Sequence, residues 1–101
     1  MPKVTVQKQT SLSAQEAYSK VTGLLAQNQD LKKLDPSYQC QFDEANLSGE
    51  AKGKMFTAKM KISNAAGGAN VEITVELPLA LTLAKGMVQK TLEKTLHEVF
   101  S

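Results

Sequence analysis

The sequence predicts a small α+β domain, built from one antiparallel sheet with a single buried face and two helices packed on it as a second layer. Three observations carry that reading. Residues 56–62 and 71–77 alternate apolar and polar side chains, the period-two pattern of strands that bury one face. Residues 14–29 and 84–100 instead space their apolar side chains at helical intervals. Each helix has one apolar stripe and the sheet has one apolar face, so the economical packing places both helices on the same side. A chain of 101 residues holds one domain, 1–101, and is too short for two.

The elements follow in order. Val4 and Val6 share one side of a first strand over Lys3–Gln7. Ser13 is placed to cap a helix, Glu16 three residues on completes a capping box, and Leu12 and Ala17 stand at the staple positions. Ala17, Val21, Leu24 and Leu25 form the stripe of this helix. It is expected to run to about Gln29 although Gly23 costs about 1 kcal/mol against Ala. The segment Asp30 to Pro36 is polar and ends in Asp-Pro, a connection, with Leu31 and Leu34 expected to tuck beneath it. Tyr38, Cys40 and Phe42 mark the inner side of a second strand. Asp43 to Asn46 is a turn, and Leu47, Gly49 and Ala51 mark a third strand before the turn Lys52-Gly53-Lys54.

In the fourth strand Phe56, Ala58, Met60 and Ile62 face in, while Thr57, Lys59 and Lys61 face out. Residues Ser63 to Asn70, with the pair Gly67-Gly68, are expected to form the turn to a fifth strand. There Val71, Ile73, Val75 and Leu77 face in, and Glu72, Thr74 and Glu76 face out. Outward lysines opposite outward glutamates favour the pairing by roughly a few tenths of a kcal/mol per contact. Pro78 cannot donate to the ladder and ends the strand. Leu79 to Leu83 reads as an extended apolar stretch. Ala84, Val88, Leu92, Leu96 and Val99 then form the stripe of a last helix ending at Phe100. The order is β-α-β-β-β-β-α.

Composition excludes several functions. All twelve basic residues are Lys and the net charge is only +2. Without the bidentate guanidinium fork that grips phosphates and reads guanine edges, the expectation is no nucleic-acid partner. The single cysteine, Cys40, allows neither an intrachain disulfide nor a multi-thiolate metal site, so no cofactor is expected. Residues Met1 to Val6 lack the long apolar stretch of a signal peptide. No window approaches the ~18 consecutive apolar residues of a membrane span, so no transmembrane segment and a cytoplasmic setting are expected. Aromatics make up 5% of the chain and Trp is absent, which leaves a thin aliphatic core with little material to line a large cavity.

One pattern goes beyond the fold. An alternating strand, Val71-Glu72-Ile73-Thr74-Val75-Glu76-Leu77-Pro78, leads into a Leu-rich segment. Leu83-Ala84-Lys85-Gly86 then opens an amphipathic helix, and the Lys8-to-Leu12 strand exit precedes an Ala-rich helix. Nearly the whole chain thereby resembles the polyhydroxyalkanoic acid system family, small proteins associated with bacterial polyester-granule metabolism. The chain carries Leu83-Ala84 where that family tends to have Pro-Phe. The resemblance implies a context, granule association, and no defined activity or ligand. The element order is also similar to a shortened helix-grip domain, the architecture of lipid and polyketide binders, and that likeness is one of fold alone.

Individual side chains are weighed against their ordinary roles. His97 falls on the polar side of the last helix with no oriented partner signalled, so it reads as a surface residue and not a general base. Cys40, between Tyr38 and Phe42, reads as a small buried hydrophobe. Asp30, Asp35, Asp43 and Glu44 are loop acids that turn chemistry accounts for. Gly67-Gly68 lacks the Lys-Ser/Thr of a phosphate loop.

The feature of interest is Leu79, Leu81 and Leu83, with Met87 off the main helical stripe. These residues either close the corner between sheet and helix or form an apolar contact surface. The expected function is that of a non-catalytic accessory or interaction protein, not an enzyme. It would act through apolar contacts in self-association as a homodimer or on a polyester granule or granule protein. The alternative is a small carrier holding an acyl or other hydrophobic ligand between the sheet and the C-terminal helix. A carrier calls for an apolar pocket of roughly 300 Å³ or more.

Overall fold

A computed structural model describes residues 3–27, 32–33 and 35–100, without the side chains of Leu81 and Ala84. The expectations for Leu31, Leu34, Asp30 and the helix end at Gln29 lie outside the described residues. The elements are β1 (Lys3–Thr10), α1 (Ala14–Gln27), β2 (Gln39–Asp43), β3 (Ser48–Lys52), β4 (Thr57–Ala65), β5 (Gly68–Glu76) and α2 (Lys85–Phe100). Two short 3-10 helices, Glu44–Asn46 and Leu79–Ala84, lie before β3 and α2. The predicted order β-α-β-β-β-β-α and the α+β class hold.

The five strands form one antiparallel sheet in the order β1-β5-β4-β3-β2. Register brings the inward residues into rows, with Val4 beside Val75 and Val75 beside Ala58, and Val6 beside Ile73 and Ile73 beside Met60. This face is buried under both helices. Ala17, Tyr18, Val21 and Leu25 of α1 and Val88, Leu92 and Leu96 of α2 join the strand residues in one core. α1 lies over β2 to β5, while α2 lies against β1. Tyr18 is buried and Tyr38 packs half-buried against the core, and both satisfy their hydroxyls on backbone carbonyls, donating to Ser48 at 3.1 Å and Leu25 at 2.7 Å. Ser13 caps α1 as expected: its Oγ accepts the Glu16 N–H at 3.2 Å and meets the Glu16 carboxylate at 3.2 Å.

The other face of the sheet is open and polar. Lys61 pairs with Glu72 as predicted, but Lys59 lies opposite Thr74. Gln7 donates to Glu72 at 2.8 Å, and Lys3 stands 3.7 Å from Glu76.

Three expectations are corrected. The turn between β4 and β5 is far tighter than Ser63–Asn70. Ser63 pairs with Asn70 and Asn64 with Ala69, leaving only Ala66 and Gly67 at the tip, with Gly67 at φ 78°. Phe42 is not an inner residue in the full sense, since it lies across Gly49 near the free edge of β2 and remains 41% exposed. Leu47 does not open β3; it takes a left-handed backbone, φ 49°, and ends the Glu44–Asn46 helix.

Candidate functional site

The segment after β5 is where the chain departs most from the extended form the alternation suggests. Leu77 is fully buried and Pro78, at φ −66° and ψ 159°, turns the chain out of the sheet. Leu79–Ala84 is then a 3-10 helix and not a strand. The Thr82 hydroxyl donates to the Leu79 carbonyl at 2.7 Å, and the Lys85 N–H bonds the Thr82 carbonyl, so the turn runs directly into α2. A 3-10 helix repeats every three residues, so the two-residue alternation of a strand does not hold through this segment.

Leu79 is 78% exposed, Leu83 100% and Met87 60%. These three do not close the corner between sheet and helix. The side chain of Leu81 lies outside the described ones. Leu83 stands near the end of the 3-10 helix and Met87 in the first turn of α2, so the two exposed side chains flank the junction of the two helices. Met55, 38% exposed in the β3–β4 hairpin, was not anticipated. Its only signal is its place beside Lys52-Gly53-Lys54, a turn that has no core to offer it.

Register fixes where this surface sits. Gln39, Lys52, Thr57, Glu76 and Lys3 form one row across all five strands. The β3–β4 hairpin with Met55, and the exit of β5 toward Leu79 and Leu83, both lie beyond that row at the same end of the sheet. Met55, Leu79 and Leu83 therefore lie toward one end of the sheet, whereas exposed Phe42 sits three register positions in from it along β2.

The other single residues keep structural roles. Asp35 is 3% exposed and its carboxylate accepts from Ser37 N (3.0 Å), Ser37 Oγ (2.5 Å) and Met55 N (2.7 Å). The Ser37 hydroxyl first, and the Met55 N–H after it, hold this carboxyl below its usual range despite the opposing effect of burial. The turn role expected of Asp35 is present, with a long-range bond the sequence did not signal. Asp43 caps the 3-10 helix through Asn46, and Glu44 accepts from Gln15 at 3.2 Å. Cys40 is half-buried against the core, with Sγ 3.7 Å from the Leu25 carbonyl. Burial raises its thiol pKa and nearby Lys32 partly offsets this. His97 is exposed in the last turn of α2. Among the described residues no group of three His, Cys, Asp or Glu is arranged to hold a metal ion.

A concavity of about 680 Å³ lies on the open polar face of the sheet. Lys59, Lys61, Glu50, Glu72 and Glu76 line it. A smaller one of about 290 Å³ sits at the β4–β5 turn, beside Thr10 and Gly67. Neither is the apolar space between sheet and C-terminal helix that a carrier calls for.

No family model and no curated protein matches the chain. Solved structures do. TTHA0849 from Thermus thermophilus is similar at a TM-score of 0.60 and 13% identity, over 97% of this chain and 91% of that one. Ara h 8.0201 is similar at a TM-score of 0.55 and 12% identity, over 98% of this chain and 92% of that one. These likenesses show the fold, which is helix-grip-like. No helix among the described residues is long and apolar enough to cross a membrane.

Proposed function

We propose that this chain is a non-catalytic interaction protein of polyester-granule metabolism, working in the cytoplasm through the exposed apolar surface formed by Leu79, Leu83 and Met87. The observation that carries the reading is the exposure of Leu83, 100%, on a segment whose neighbours Leu77 and Val88 are buried. A folded domain with a thin core gives up burial by holding three large apolar side chains in water, and an apolar contact recovers it. The sequence resemblance to the polyhydroxyalkanoic acid system family supports the polyester context, since it centres on the strand, Leu-rich segment and helix that build this surface.

The reading is tested with purified protein and particles of bare poly(3-hydroxybutyrate). The wild type is expected to co-sediment with the particles. Leu83→Lys combined with Met87→Lys is expected to stay in solution while remaining folded. Particles that retain the double variant as well as the wild type would remove this surface from the contact. A homodimer formed through the same surface is read in the same experiment by analytical ultracentrifugation of the two proteins without particles.

A further inference from the structure

We propose that this apolar end docks on a lipid surface bearing anionic headgroups, with Leu83 and Met87 entering the acyl boundary and lysines holding the headgroup phosphates. The inference rests on the reading of the same surface as a contact site and names the partner it fits. Lys52 belongs to the row of register partners that ends the sheet, and Lys54 precedes Met55 in the hairpin beyond it. Lys85 lies two residues after Leu83, and Lys90 three after Met87 on the exposed side of α2. All four are exposed. Of the described acids at this end, Glu76 stands 3.7 Å from Lys3, and the Asp35 carboxylate is turned inward onto Ser37 and Met55 N–H. Glu16, Asp43 and Glu44 lie at the far end, where Gln15 bonds Glu44 beside the start of α1. Exposed Leu83 and Met87 and the exposed lysines Lys52, Lys54 and Lys85 therefore belong to the end of the sheet at and beyond the row of Lys3 and Glu76, while Lys90 has Glu93 one turn further along α2.

The chemistry of the surface favours lipid over a protein partner. Protein contacts centre on Trp, Tyr or Arg seated in shaped pockets. This end presents none of these exposed; it presents flexible Leu, Met and Lys side chains. A leucine that is 100% exposed has no neighbours to shape a complementary site around it. A lipid interface asks for no such complementarity: it takes up apolar tips and lets lysine stems lie along it with the ammonium at headgroup level. Each lysine near an anionic leaflet strengthens binding by about fivefold, and salt weakens the effect.

The test is co-sedimentation with two vesicle preparations, phosphatidylcholine alone and phosphatidylcholine mixed with phosphatidylglycerol, beside the bare polyester particles. The wild type is expected on the mixed vesicles and not on phosphatidylcholine, with release at high salt. Leu83→Ser with Met87→Ser is expected to abolish binding. Lys52→Glu with Lys54→Glu is expected to weaken it by about tenfold or more. Circular dichroism establishes that both variants are folded, and Leu83→Ser and Lys54→Glu as single changes serve if a pair is not. Equal binding to both vesicles, no vesicle binding, or binding that neither variant weakens overturns the proposal. Binding to polyester particles without vesicle binding overturns it while leaving the polyester reading intact. Capture of an acidic protein without vesicle binding overturns it as well.

Discussion

The carboxylate of Asp35 accepts the backbone N–H of Met55 at 2.7 Å, joining the connection after α1 to the β3–β4 hairpin across twenty positions of chain. The same carboxylate takes the Ser37 N–H and hydroxyl. Gly53 lies so close that a Cβ there would run into the Asp35 carboxylate. One buried side chain thus holds two loops at the end of the sheet that carries the apolar surface.

These bonds favour the charged form of Asp35, so its folded pKa lies below the ordinary value of 3.8. The unfolded state therefore binds the proton more readily, and stability rises with pH in this window. The contribution is complete above the ordinary value and is lost as pH falls through the lower folded value. Urea midpoints measured across the acid range are expected to fall with pH in the wild type. Asp35→Ala should have a lower midpoint at neutral pH and a flatter acid dependence. An acid dependence unchanged in the variant would assign it to other carboxylates.

Gly68 and Gly23 should respond oppositely to alanine. A Cβ at Gly68 would meet the Thr10 carbonyl oxygen and come within 2.8 Å of the Ser11 Cα, which are backbone atoms of the paired strand and its exit. That contact can be relieved only by separating β1 from β5, so Gly68→Ala is expected to destabilise. Gly23 lies inside α1 and a Cβ there meets nothing within 4 Å. Gly23→Ala is expected to stabilise by about 0.5–1 kcal/mol from helix propensity and the smaller entropy of the unfolded chain. Thermal melts of the two variants check both signs.

Leu92 is 1% exposed at the centre of the α2 stripe, between Val88 and Leu96. Leu92→Ala is expected to cost about 2–5 kcal/mol, from lost transfer energy and the cavity left behind. A loss below about 0.5 kcal/mol in chemical denaturation would place the residue at the surface.

The strands and helices were legible because their periodicity matches burial on one side. Val71, Ile73 and Val75 alternate with Glu72, Thr74 and Glu76, and α2 buries Val88, Leu92 and Leu96, one per turn. The tight β4–β5 turn was hidden because the ladder continues through Ser63, Asn64 and Asn70, polar residues that also favour turns. Nothing in their composition separates an exposed ladder from a loop. The 3-10 helix was hidden for the converse reason. Leu79, Leu81 and Leu83 alternate as strand residues do, but β5 has already turned out at Pro78 and no neighbouring strand accepts them. Asp35 showed its Asx-turn role through Asp-Pro-Ser; its bond to Met55 joins residues that only the fold brings together.

The response of Leu83 decides whether the apolar end is a surface. Its side chain is fully exposed, on a segment anchored by Leu77, buried before it, and by Val88, buried after it. The local fold is held by backbone bonds, by the Thr82 hydroxyl on the Leu79 carbonyl and by the Lys85 N–H on Thr82, none of which uses the Leu83 side chain. Leu83→Lys therefore removes no buried area and breaks no hydrogen bond, and the change in unfolding free energy is expected to stay within about 0.5 kcal/mol. Binding or self-association through this end should weaken in the same variant, because an apolar contact loses its most exposed member and gains an ammonium that must be desolvated. Melting and sedimentation of one preparation separate the two effects. A variant that unfolds places Leu83 in the core, and one that stays folded with unchanged association moves the contact elsewhere on the molecule.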